Sequence, residues 1–393
     1  MAFAGFCYSH VYAIARPEGG GTLSEVIAFE PLCSLKCMVC RDDSSWWLPT
    51  EVSGDRHFGP RSLTILPTYR CSAACAQCCF GSNPSIEDTL SLTQIKAAID
   101  EAALHFPRLK IVVFSGGECF LLGDDLFEAI AHAHAMGLMV RAVSNGFWAK
   151  SERAAARIIE QAKSAGLTEL NLSTGRDHAQ WVPVSSVVNA AAAAVDAGLV
   201  TFLTVEEDAP DSDIAHEVLA NPRLQALRKS APALFSMAVN SWMKFNDGHV
   251  PRSSPRPRAP IDERCTQLFE NLVVTPHGNV AACCGLPFEY IPELRLGHIG
   301  AAGLAELYRS QFDDFLKWWI HTEGPLAVVR AVAPQRASDL ERCNHICEAC
   351  ATLHRDPELR EAVRKNFLRH VPRVLTTART RLRAEALGIV GVD

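Results

Sequence analysis

Cys71, Cys75 and Cys78 stand in a CxxxCxxC spacing just beyond an apolar run, Ser62-Leu-Thr-Ile-Leu-Pro-Thr68. Three cysteines in one short loop can ligate three irons of a [4Fe-4S] cluster, and the missing fourth protein ligand leaves one iron open to bind and reduce a small molecule. Farther along, Ser115-Gly116-Gly117-Glu118 follows the β-branched run Lys110-Ile-Val-Val-Phe114. Glycines let the backbone approach a ligand closely, and a carboxylate can hold an ammonium group. The same three thiols would suit structural zinc if Cys79 or a histidine closed the site.

These residues need a scaffold that brings them together. From 62 to about 240, short β-branched runs alternate with longer amphipathic or alanine-rich segments, the pattern of repeated βα units on a parallel sheet. Strands are expected near 62–68, 110–115, 138–144, 168–173, 200–205 and 234–240, with helices near 91–105, 122–136, 151–165, 184–198 and 212–229. In such α/β sheets, ligands sit beyond the carboxyl ends of the strands. That rule gathers Cys71 to Cys78, Ser115 to Glu118, Ser144-Asn145, Ser173-Thr174 and Val205-Glu206 around one mouth.

The 393 residues suffice for a large domain and a smaller one, and a hydrophobic share of 48% with a net charge of −6 describes an ordinary globular chain. No stretch approaches the ~18–20 apolar residues of a membrane span, and the first ten residues lack a basic, then apolar, signal pattern. A cytoplasmic location is expected. The acidic balance gives no electrostatic reason to expect nucleic acid as a partner. The 15 cysteines are bunched at 33–40, 71–79, 265 with 283–284, and 343–350, which in a reducing compartment points to metal ligation rather than disulfides.

The cysteine triplet with Gly-Gly-Glu resembles the radical S-adenosylmethionine (SAM) superfamily, although the residue before the third cysteine, often aromatic there, is Gln77. The resemblance implies a partial (β/α)6 TIM barrel over 61–248, a [4Fe-4S] cluster on Cys71, Cys75 and Cys78, and SAM chelated by its open iron. It also implies that Gly116, Gly117 and Glu118 receive the SAM amine. Ser173 is a candidate contact to the SAM carboxylate or ribose, and Ser144 and Asn145 are candidates for the same ligand, each with an ordinary strand-end turn as its other reading.

A Pro- and Arg-rich linker at 249–260 precedes Cys265, then Asn271-Leu-Val-Val-Thr-Pro-His-Gly-Asn-Val280, which reads as a hairpin, Cys283, and Cys347-Glu-Ala-Cys350. This resembles the SPASM and twitch extensions, with the shorter twitch form the better match because a CxxCxxxxxC run is missing. The resemblance makes Cys265, Cys283, Cys347 and Cys350 ligands of an auxiliary [4Fe-4S] cluster within 261–354, with a helix near 302–318; a zinc ribbon would also satisfy the spacing. Cys33, Cys37 and Cys40 in the N-terminal extension, 1–60, repeat the triplet without a Gly-Gly-Glu. With Cys343 they either hold a second auxiliary cluster or form a zinc site or free thiols. The basic tail, 355–393, reads as a solvated helix.

For catalysis, His178 is a candidate general base, Glu206 a proton acceptor, and Cys119 a hydrogen-atom donor, each weighed against a structural role. The resemblance implies that a 5′-deoxyadenosyl radical from SAM abstracts hydrogen from an unactivated C–H bond, with an electron donor such as flavodoxin or ferredoxin. A peptide- or protein-modifying oxidase is the first reading. A small-molecule dehydrogenase acting on a sugar or antibiotic precursor is the second, and a non-catalytic iron-sulfur or zinc protein the third.

Overall fold

The computed structural model describes residues 59–207, 212–241, 261–283, 291–343 and 345–387. Cys33, Cys37, Cys40 and the 249–260 linker lie outside the described residues. Six βα units open the fold: β1 (Ser62–Ile65), α1 (Leu92–His105), β2 (Ile111–Phe114), α2 (Asp124–Ala135), β3 (Met139–Ser144), α3 (Glu152–Ser164), β4 (Glu169–Gly175), a single turn α4 (Arg176–Ala179), α5 (Val184–Asp196), β5 (Val200–Glu207), α6 (Asp213–Ala220), α7 (Pro222–Ser230) and β6 (Phe235–Ser241). The hairpin β7 (Asn271–Val274) and β8 (Asn279–Ala281) follows, then β9 (Arg295–His298), α8 (Leu304–Ser310), α9 (Phe315–Glu323), α10 (Pro325–Val332), α11 (Ala337–Glu341), α12 (Ile346–Arg355), α13 (Pro357–Asn366) and α14 (Val371–Ala386).

Local chemistry sets most boundaries. Ser91 and Gln94 form a reciprocal capping box that starts α1. The single helix expected over 212–229 is two, because Asn221 precedes Pro222: proline disfavours a helical residue before it, and the Asn221 side chain caps the new helix. The helix expected near 302–318 is likewise divided, with Asp314 accepting from the Leu316 and Lys317 N–H groups to begin α9. The tail folds as helices, and Glu385 of α14 pairs with Arg61 at 2.8 Å.

Strand order is β6-β5-β4-β3-β2-β1-β7-β8-β9, an open α/β sheet with β6 and β9 at its edges. All pairs from β6 to β7 are parallel, and β8 and β9 add antiparallel. The core is thus the expected partial (β/α)6 barrel. Beyond the linker, however, β7 joins the core sheet directly, pairing Ser62 with Asn271 and Ile65 with Val274.

Alternation along the strands gives the sheet two unlike faces. Leu63, Ile65, Val112, Phe114, Val140, Ala142, Leu170, Leu172, Leu203 and Val205 are fully buried against the helices. The inner face carries Thr64, Val113, Val143, Asn171, Ser173, Thr204 and Glu206, with Val113 and Val143 forming a small apolar cluster separate from the main core. A closed TIM barrel fills this space with bulky apolar layers. Here, Asn171 Oδ1, Thr204 Oγ1 and Glu206 Oε1 are buried without a hydrogen bond among the described residues. A polar interior of that kind is built to receive something.

Candidate active site

Immediately after β1 the chain leaves the sheet and loops back on itself. The Thr68 hydroxyl donates to the Asp88 carbonyl at 2.8 Å and accepts from the Arg70 N–H at 3.0 Å, and Cys71 N–H donates to the Asn83 carbonyl at 3.1 Å. The loop so closed at its base carries all three cysteines. Their side chains line one cavity together with Ser115, Gly116, Gly117, Ser144, Asn145, Ser173 and His178. The cavity is open at its mouth.

The thiols suit an iron-sulfur cluster. Burial pushes Cys71 up to about 12, with the Glu118 carboxylate adding to the effect. Cys75 is raised by burial and then by Glu206, Cys78 and Cys71. Isolated thiolates are disfavoured there, so a cationic partner is needed for thiolate ligation. Two backbone donors already point at the sulfurs: Ala73 N–H to Cys71 Sγ at 3.4 Å and Ser82 N–H to Cys78 Sγ at 3.3 Å. Such N–H···S contacts accompany cluster ligation and tune its potential. Among the described residues, no three Cys, His, Asp or Glu side chains are gathered for a single metal ion; a cubane places each thiolate on its own iron, and these thiols ring a cavity.

Opposite the cysteines, the Gly-Gly-Glu loop runs against the cysteine loop with no space between. A Cβ on Gly117 would lie 2.2 Å from the Arg70 carbonyl oxygen, and one on Gly116, whose φ is +104°, would lie 2.5 Å from the Thr68 oxygen. Only glycine fits at either position. Both residues line the cavity, whereas the Glu118 carboxylate is fully buried behind them. It accepts from Phe120 N–H at 3.1 Å, the Ser144 hydroxyl at 3.1 Å and Asn145 N–H at 2.9 Å. Burial raises its pKa to about 7, and those three donors oppose the rise. Ser144 also accepts from Trp148 Nε1 at 2.9 Å, a contact that sequence reasoning missed.

At the ends of β4 and β5 the structure joins residues that were considered separately. His178 Nδ1 lies 2.8 Å from Glu206 Oε2, and Nε2 lies 3.4 Å from the Ser173 hydroxyl. A carboxylate oxygen accepts, so the hydrogen on Nδ1 points to Glu206. All three residues are buried, and Ser173 and His178 line the cavity. Cys119 faces elsewhere: its fully buried thiol donates to the Val143 carbonyl at 3.3 Å.

The second cysteine group lies around the hairpin and α12. Cys265 precedes β7, and Cys283 follows β8 and is 6% exposed. Burial raises Cys350, and Cys265 is the charged neighbour that raises it further. Cys265 is raised by burial, against the Leu268 and Gln267 N–H groups that favour its thiolate. Cys347 is in the first turn of α12, where its N–H donates to the capping His345 Nδ1 at 3.1 Å. Burial pushes Cys343 up to about 12 and Glu348 adds to this, while a hydrogen bond with Thr352 opposes it, and the thiol donates to the Asp339 carbonyl at 3.8 Å. Sequence reasoning also missed Phe269, a buried aromatic held at φ +67° and stacked 4.3 Å from Trp318. A bulky residue in the left-handed region is strained, and it marks the turn from Cys265 into β7.

One turn beyond Cys350, the buried His354 has no partner for Nε2 among the described residues. Burial lowers its pKa to about 4, despite Asp314 and Glu293 nearby. A depressed histidine contributes stability that is present above its unfolded pKa of about 6.5 and is lost as pH falls towards 4. By pH 5 the loss from this group is about 2 kcal/mol. Denaturant unfolding at pH 7.5 and pH 5 checks this: His354→Leu should flatten the difference, and an unchanged pH dependence would refute it.

The Radical SAM superfamily profile matches residues 65–205, and the SPASM iron-sulfur cluster-binding domain matches 265–351. The second match carries the SPASM name rather than that of the twitch form. YydG of Bacillus subtilis (strain 168), provisionally named for peptide biosynthesis, is 29% identical over 129 residues, which span 33% of this chain and 40% of that protein. Among solved structures, anSMEcpe with bound AdoMet is similar at 14% identity, covering 83% of this chain and 97% of that one with a TM-score of 0.48. BtrN in complex with AdoMet and 2-DOIA is similar at 15% identity over 63% of this chain and 82% of that one, with a TM-score of 0.39. Cysteine triplet, glycine wall and parallel core agree with the two domain matches: residues 65–205 carry a radical SAM domain and residues 265–351 a SPASM iron-sulfur cluster-binding domain.

Proposed function

We propose that this enzyme oxidatively modifies a peptide or protein at an unactivated C–H bond. The observation that carries the reading is its relation to YydG, 29% identical over a third of this chain. The polar inner face supports it, since Asn171, Thr204 and Glu206 offer unused hydrogen-bonding atoms suited to the amides of a peptide. When bound, the SAM-ligated cluster supplies a 5′-deoxyadenosyl radical for hydrogen abstraction, and the auxiliary cluster supplies an acceptor for the remaining electron.

The chain's own residues then have separable tasks. Cys71, Cys75 and Cys78 would hold the SAM cluster, and Cys265, Cys283, Cys347 and Cys350 the auxiliary one. Gly116 and Gly117, braced by Glu118, would shape the wall where the SAM amine rests. Ser173 would meet the ligand's ribose or carboxylate. His178 Nε2 would accept the proton that a net oxidation releases, while Glu206 holds Nδ1–H and stabilises the imidazolium that results. Burial of the pair keeps water from competing for that position.

The test is anaerobic turnover with SAM and a one-electron donor such as flavodoxin or ferredoxin, offering short peptides encoded beside the gene and, separately, sugars and aminocyclitols. A peptide losing two hydrogens per 5′-deoxyadenosine formed is the expected result. Oxidation of the sugars alone would transfer the reading to a small-molecule dehydrogenase.

A further inference from the structure

Among the described residues, the Asn145 amide is a side-chain donor that reaches a cysteine-loop sulfur from outside that loop: Nδ2 lies 3.6 Å from Cys71 Sγ and 3.0 Å from Ser72 Oγ. Which end of an amide carries the nitrogen must be argued from its neighbours. Here the Phe147 backbone N–H donates to Oδ1 at 3.0 Å, and a backbone N–H can only donate. Oxygen is therefore fixed towards Phe147, and the NH2 group faces the cysteine loop. The backbone of the same residue is fixed in turn, because its N–H donates to the buried Glu118 carboxylate at 2.9 Å. Asn145 itself is 6% exposed, so water competes little for its hydrogens.

We infer that Asn145 is a positioning residue that sets the reduction potential of the SAM-binding cluster, with Glu118 holding it in place. A hydrogen bond to a thiolate withdraws electron density from the iron and favours the reduced state, in which the sulfurs carry more negative charge. This assignment gives the Gly-Gly-Glu carboxylate a task inside the protein. It also gives Asn145 a role other than touching SAM. It concerns one electron passing from an external reductant to the cluster, and it holds whatever substrate the enzyme modifies.

A hydrogen bond to a charged group is worth about 1.5 kcal/mol, roughly tenfold in an equilibrium. The bond is made in both oxidation states and only its gain on reduction moves the midpoint, so removing it should lower the reduced-to-oxidised ratio by up to about tenfold at fixed potential, which for one electron is a midpoint up to about 59 mV more negative. The experiment is a dithionite titration of the reconstituted protein without SAM, followed by electron paramagnetic resonance, on the native chain and on Asn145→Ala, Asn145→Asp and Ser72→Ala. Asn145→Ala should move the SAM-cluster signal to more negative potential. Asn145→Asp should move it farther, because it replaces the donor with a negative charge beside Cys71. Ser72→Ala keeps the Asn145 contact and should leave the midpoint in place. Unmoved midpoints in both Asn145 variants would overturn the assignment. So would loss of the cluster in Asn145→Ala with retention in Ser72→Ala, which would make Asn145 an assembly residue instead. Because no substrate is present, failure here is distinct from failure of the peptide-oxidase reading.

Discussion

Replacing Cys71, Cys75 and Cys78 together by alanine is expected to remove about four irons per chain and to abolish reductive SAM cleavage. The expectation rests on one cavity and one loop that gather three thiols, with Cys71 and Cys75 raised by burial and further by their charged neighbours. Folding should survive, since Cys75 and Cys78 are only partly buried and the loop is closed by Thr68, Asp88 and Asn83 rather than by sulfur. Circular dichroism should therefore be unchanged while iron and sulfide analysis reports the loss. An eight-iron protein falling to about four would indicate one auxiliary cluster; twelve falling to about eight would add a further one. Iron content unchanged by the triple substitution would remove these cysteines from the ligand set.

His178→Asn and Glu206→Gln should each lower the yield of modified product per 5′-deoxyadenosine released by roughly 10²–10⁴-fold, the usual share of a positioned general base. The two residues touch at 2.8 Å and act through the same proton position. Their effects should therefore fail to add, with the double variant little worse than either single one. The ratio of product to 5′-deoxyadenosine is the decisive readout because it separates proton removal from SAM cleavage. A ratio that stays at the native value in both variants would leave the pair as a buried structural contact between α4 and β5.

What could be read from the residues was whatever is local. The triplet at 71, 75 and 78, the Gly-Gly-Glu and the βα alternation each lie within a short window, where spacing alone carries meaning. Pairing of β7 with β1 was not legible, because Ser62 and Asn271 are brought together across most of the chain and no local pattern marks a parallel neighbour. Nor were the partners of Glu118: its burial depends on where Ser144 and Asn145 arrive at the end of a different strand. His178 was visible as a loop histidine facing the mouth and Glu206 as a strand-end carboxylate, but their contact needs the β4–β5 register that sets Gly175 beside Glu206. Division of the expected 212–229 helix was visible at Pro222 and overlooked.

β1 has a consequence for how the two cofactor regions relate. It lies between β2, which leads into the glycine wall, and β7, which follows Cys265 and turns through the hairpin into β8 and Cys283. Neighbouring strands sit about 4.8 Å apart under hydrogen-bond restraint, so the C-terminal part is fixed to the core through the β1–β7 ladder of the sheet rather than through a tether. The cysteine-rich C-terminal part is accordingly not cargo towed behind a catalytic barrel. It is the next plank of the same floor, and cutting it away would leave β1, the strand that feeds the active-site loop, as a raw edge open to pairing with other chains.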